Sequence, residues 1–260
     1  MSMSDWFNRW EALRKVYKKR SLPIHNWRIA DNEPDPVKNE PKEFELVSYD
    51  WASRMKPQKS KPPAIIHLDP PANEEEIIII EKEMGCSIPS SFRNVLKQYS
   101  RKVDVCWMFP VDDEEYKTIY DHRFRYFSWG ILYWSLEELP TLQKKFQEWL
   151  INCYNDPNDS YGKHWYGKFP VCEVGCGDFT VIENERENSQ QVVYLSHDGD
   201  CKVNGFPMGK DFEDFVDRMS LLGCPSEGFS LYPFIDSPKP YLQIDNENAR
   251  LWRQWFGLEN

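Results

Sequence analysis

The sequence predicts an α+β protein in which helices pack against one twisted, mainly antiparallel sheet. Three observations carry that prediction: a paired helical pattern over residues 73–99, a run of short β-prone segments over residues 169–196, and no regular strand–helix–strand alternation. Helical patterns gather on either side of the strand run, which suits an antiparallel sheet better than a parallel one.

Trp6, Trp10, Leu13 and Tyr17 recur at helical spacing, while Arg14, Lys15, Lys18, Lys19 and Arg20 lie largely off that stripe and crowd its C-terminal end. A short amphipathic helix that docks on the body is expected there. Over residues 31–63 periodicity fades and Pro34, Pro36, Pro41, Pro57, Pro62 and Pro63 interrupt it, with one possible strand at 44–49. This reads as a connecting arm.

The clearest stretch follows. Asn73 with Glu76 three residues later forms a capping box, glutamates fill the first turn, and Ile77 to Ile80 supply the apolar side. Gly85 suits a left-handed helix end and Pro89 the start of the next helix, whose apolar face is Phe92, Val95, Leu96 and Tyr99. Strands are expected at 103–110 and 125–132, separated by an acidic loop of Asp112, Asp113, Glu114 and Glu115. Ser135 with Glu138 repeats the capping-box pattern before a stripe of Leu142, Phe146, Trp149, Leu150 and Cys153. Residues 155–162 are turn-rich. Strands at 169–173, 178–183 and 191–196 precede a closing helix marked by Phe212, Phe215, Val216 and Met219. Beyond Leu222 come Pro225, Pro233, Pro238 and Pro240, then a short helix with Ala249, Trp252, Trp255 and Phe256.

A glutamate-bearing helix running into Gly85-x-x-Ile88-Pro89 and an aromatic-led helix resembles the opening signature of the SUKH superfamily, named partly for the yeast Smi/Knr cell-wall regulator. FSWGILYWSLEEL (127–139) is similar to that family's central strand entering a helix, and FPVCEVGCGDFTVIE (169–183) to its Pro strand, Gly-Asp turn and next strand. QVVYLSHDGD (191–200) is similar to a later strand of that family and MGKDFEDFVDRM (208–219) to its closing helix, so the resemblance covers roughly residues 64–222. Ser100-Arg101-Lys102 departs from the Asn-Gly usual after the second helix. The division that follows is an N-terminal helix and proline-rich arm over 1–63, a SUKH-like α+β domain over 64–222 and a C-terminal extension with a short aromatic helix over 223–260.

The chain has 260 residues, 42 of them acidic and 32 basic, for a formal charge of −10. That balance disfavours nucleic acid and anionic membrane as partners and favours a basic protein. Eleven Trp and thirteen Tyr supply rings for a core or a binding surface. Seven scattered cysteines form no dense even framework, and no apolar segment suits a leader or a span, so reduced thiols in the cytoplasm are expected.

Cys172, Cys176, His197 and Cys201 are the right residue types for zinc but lack paired knuckle spacing, so no metal and no cofactor are expected. Asp178, His197 and Asp198 invite an acid–base reading, yet turn chemistry explains them as well. Members of the resembled family in bacteria are commonly immunity proteins. The resemblance therefore implies a non-enzymatic protein that neutralises a cognate toxin, often a nuclease, by direct binding. A Smi/Knr-type regulatory scaffold is the alternative, and a hydrolase using Asp178 and His197 a distant third. The expected contact surface is an acidic rim of Asp112, Asp113, Glu114, Glu115, Glu183, Glu185, Glu187, Asp198 and Asp200 around Trp129, Tyr133 and Tyr194.

Overall fold

The computed structural model describes residues 3–20, 64–108, 124, 129–174, 177–183, 190–198, 203–225, 228–256 and 258. The possible strand at 44–49 and the acidic loop at 112–115 lie outside these residues. The architecture is α+β and its strand pairings are antiparallel. Strands β1 (Ala64–Leu68), β2 (Lys102–Met108) and β3 (Trp129–Ser135) form one sheet in that order. Strands β4 (Lys168–Val174), β5 (Asp178–Glu183), β6 (Val192–Leu195) and β7 (Phe206–Gly209) form a second.

One continuous sheet is expected from sequence; hydrogen bonding divides it in two. Both facing edges carry a reason. β4 contains Pro170, which has no N–H to donate, and its register shifts between Pro170 and Cys172, while Gly130 on β3 is bridged by Pro225. β1 and β7 carry little signal in sequence. β1 is five residues long, and β7 includes Pro207 and Gly209, residues that weaken a strand reading.

Helix α2 (Glu74–Met84) has the capping box at both ends of its exchange: Glu76 N–H donates to Asn73 Oδ1 at 2.9 Å, and Asn73 N–H to Glu76 Oε2 at 2.8 Å. Gly85 closes it with φ of 71°. The four isoleucines do not form one apolar side, because four consecutive residues sweep most of a helix circumference. Ile77 is fully buried, whereas Ile78 and Ile79 are 50% and 64% exposed. Replacing Asn73 by Ala is expected to cost about 1 kcal/mol and by Gly only a few tenths, as read by chemical denaturation. Equal losses would show that the side-chain cap is idle.

Helix α3 (Ser90–Gln98) starts after Pro89 and buries Phe92, Val95 and Leu96. After it, buried Ser100 donates through Oγ to the Asp69 carbonyl at 2.7 Å, which secures a turn that lacks Asn-Gly. Ser135 does not cap as expected. A 3₁₀ turn (Leu136–Glu138) intervenes without a side-chain cap, Ser135 Oγ meets Glu137 Oε2 at 3.3 Å, and Pro140 lies in the first turn of α4 (Leu139–Cys153).

Two apolar clusters result among the described residues. The larger joins β2, β3, α3, α5 (Phe212–Leu221) and the inner face of the second sheet. The smaller places Phe146 of α4 and Trp165 against Phe179, Val181, Val193 and Leu195 on the other face of that sheet. β4, β5 and β6 are therefore covered on both faces. The segments at either end of the chain meet at α5: on α1 (Met3–Arg20), Trp10 Nε1 donates to Ser220 Oγ at 2.9 Å and Arg9 pairs with Asp217. On α6 (Glu247–Phe256), Trp252 Nε1 donates to the Leu222 carbonyl at 2.7 Å.

Candidate binding site at the Asp178–His197 turn

Pairing of Phe179 with Leu195 sets Asp178, the first residue of β5, beside the chain leaving β6. Asp178 Oδ1 accepts the His197 N–H at 2.8 Å and lies 2.6 Å from His197 Nδ1, while Oδ2 accepts the Tyr194 hydroxyl. An ionised carboxylate only accepts, so Nδ1 carries the proton and Nε2 is the ring's remaining position. Gly177 precedes the pair for two reasons. Its φ is 109°, and a Cβ there would stand 2.5 Å from Cζ2 of Trp149.

The carbonyls of the following turn are held by tyrosines that come after α4. Tyr154 Oη donates to the His197 carbonyl at 3.1 Å, and Tyr161 Oη to the Ser196 carbonyl at 2.8 Å while also meeting that of Asp198. Around them, Tyr154 stacks on buried Trp165 with centroids 4.2 Å apart. Trp149 lies 6.4 Å from Tyr154 and 5.9 Å from the His197 ring, and Tyr161 6.2 Å from Tyr154. Trp149, Tyr154 and Tyr161 are half-buried; His197 and Asp198 are exposed. The rings thus form a wall between core and solvent.

Charges of both signs meet at this end, where Lys163 acts on Asp159 and on His164. Burial, and then the charges of Cys153, Asp178 and Asp198, push the Tyr154 phenol up to about 12. Asp159 is held below the usual carboxylate range, first by the Gly162 N–H and then by those of Tyr161 and Ser160. Farther along β4, burial raises Glu173 despite both its oxygens lying 2.7 Å from Lys145 Nζ.

The expected site residues scatter. Trp129 and Tyr194 are 5% and 1% exposed, so neither presents its ring to a partner: they lie in strands covered on both sides. Tyr133 is half-buried beneath Lys102, 5.9 Å from its centroid, and Glu183 pairs with Lys168 at 3.3 Å. Asp112, Asp113, Glu114, Glu115, Glu185, Glu187 and Asp200 lie outside the described residues. Only Asp198 joins the wall. Trp149, Tyr154 and Tyr161 are the residues sequence reading did not assign to a surface, although the density of rings between Tyr154 and Tyr166 is a signal in the chain itself.

Cys172 is buried and donates to the Glu173 carbonyl, and Cys176 and Cys201 lie outside the described residues. Among the described residues no group of three His, Cys, Asp or Glu side chains is placed to hold a metal, and no helix is long and apolar enough to cross a membrane. The His197–Asp178 pair could move a proton. Among the described residues, no hydroxyl or thiol hydrogen-bonds to the His197 ring.

Residues 71–218 match the model of the SMI1 / KNR4 family (SUKH-1). No curated protein matches the chain. Helices α1 and α6 fall outside the matched stretch.

Proposed function

The chain belongs to the SMI1 / KNR4 family (SUKH-1), and from that membership we propose that it is a non-enzymatic binding protein that neutralises a cognate toxin by direct contact. The toxin presents a basic face, as a nuclease must to hold its substrate. A formal charge of −10 is the observation that carries this reading, because it gives long-range attraction to such a face and repels the nucleic acid that competes for it. The Asp178–His197 pair supports binding rather than hydrolysis, since its bonds to Tyr194 and to its own backbone tie the carboxylate into the turn.

The test is co-expression with whichever candidate toxin domain the gene's neighbourhood encodes. Growth rescue is expected, together with a purified 1:1 complex whose association slows as salt rises. Absence of both rescue and a complex would remove the immunity reading, and recovery of signalling proteins instead would favour a regulatory scaffold.

A further inference from the structure

One side of the fold is occupied by the chain's own ends. Trp6, Trp10 and Leu13 of α1 and Trp252 of α6 are buried around α5 and the turn after it. The opposite situation holds at the C-terminal end of α4. There His197, Asp198, Asp156 and Asp159 are exposed, and Trp149, Tyr154 and Tyr161 are half-buried.

Three features of this end favour a cation. α4 is fifteen residues long and has no basic residue in its last turn, so the partial negative charge of its terminal carbonyls lacks a cationic side chain from that turn. The Asp198 carboxylate has no hydrogen-bond or ion-pair partner among the described residues, while Lys163 is the exposed lysine of the adjoining loop. Indole and phenol rings beside it attract a cation through their faces. Arginine fits better than lysine, because its planar, weakly hydrated guanidinium can lie on a ring and still aim N–H donors at a carboxylate.

We infer that the end of the fold built from Trp149, Tyr154, Tyr161, His197 and Asp198 is the partner-contact surface and takes an arginine side chain of the basic partner. This rests on the toxin-binding reading for the partner's identity. The arginine chemistry stands on the site alone. In it the guanidinium stacks on the Trp149/Tyr154 wall and donates to Asp198. The Tyr154 phenol is pushed up to about 12, first by burial and then by the charges of Cys153, Asp178 and Asp198.

The experiment uses the full chain labelled with nitrogen-15 and a hexa-arginine peptide, reading the indole N–H signals. The Trp149 signal should shift saturably while that of Trp10 stays in place, and Asp198→Lys should weaken the fitted affinity by about fivefold or more, roughly 1 kcal/mol. A Trp149 signal unmoved at high peptide, or an affinity indifferent to Asp198→Lys, overturns the site. A second arm measures the toxin domain against Asp198→Lys and Trp149→Leu, each checked for its fold by circular dichroism. A toxin that binds wild type and both variants equally places the contact elsewhere and leaves the immunity reading intact. A toxin that does not bind at all, with hexa-arginine still moving Trp149, removes the immunity reading and leaves the arginine site standing.

Discussion

Deleting residues 223–260 is expected to leave a chain that melts without a sharp transition or precipitates. Leu231, Phe234, Leu242 and Trp252 are each at most 1% exposed, and burial of such side chains contributes about 1.5–3 kcal/mol apiece. Their sum is comparable with the roughly 5–15 kcal/mol that holds a typical domain together, so even after the entropy of ordering the segment the loss is severe. Specific bonds go with the area. Trp107 Nε1 would lose the Gly223 carbonyl, and β7 would lose the Leu242 N–H that donates to Met208 at 3.3 Å. That last bond covers part of an edge strand, and an uncovered edge invites pairing between chains.

A single substitution separates docking from mere attachment. Trp252→Ala removes a fully buried ring that meets Phe124 at 5.3 Å, for an expected cost of about 3–5 kcal/mol. At about 2–4 °C per kcal/mol for a chain of this size, the midpoint should fall by roughly 6–20 °C. Thermal melts with a dye that reports exposed apolar surface decide the matter. A truncated chain that melts within a few degrees of wild type and binds no dye would make the extension a tether.

Local chemistry was legible in the sequence and lateral placement was not. Asn73 and Glu76 state a helix start within one turn of each other, and Gly85 states its stop through its own backbone freedom, so no tertiary knowledge is needed to read them. β6 is the contrary case. All four of its residues are buried, so the alternation that would show which way Tyr194 points is missing from the chain. Trp129 misleads for a related reason, since β3 is buried along nearly its whole length. Trp149 shares a helical stripe with Phe146, and periodicity alone assigns both to the core. The stripe outruns the sheet: Phe146 is fully buried against Phe179, whereas Trp149, one turn later, is partly exposed at the Gly177 turn. What sequence periodicity lacks is where the supporting sheet ends.

Gly177→Ala is the substitution expected to damage the candidate site most. The backbone at φ of 109° disfavours any side chain, at about 1–3 kcal/mol. The added methyl also overlaps Trp149 Cζ2 at 2.5 Å, and forced overpacking costs a further 1–3 kcal/mol or so. Since Asp178 is the next residue, relief by backbone movement would disturb its bonds to His197 and Tyr194, and with them the turn that carries Asp198. Loss of stability and loss of hexa-arginine binding should therefore appear together. A double-mutant cycle with Trp149→Leu isolates the steric part: removing the ring relieves the overlap but not the backbone strain, so Gly177→Ala should cost less when Leu stands at 149. Free energies from guanidinium denaturation that add within about 0.5 kcal/mol would show that the ring does not dictate glycine here, and that backbone conformation alone does.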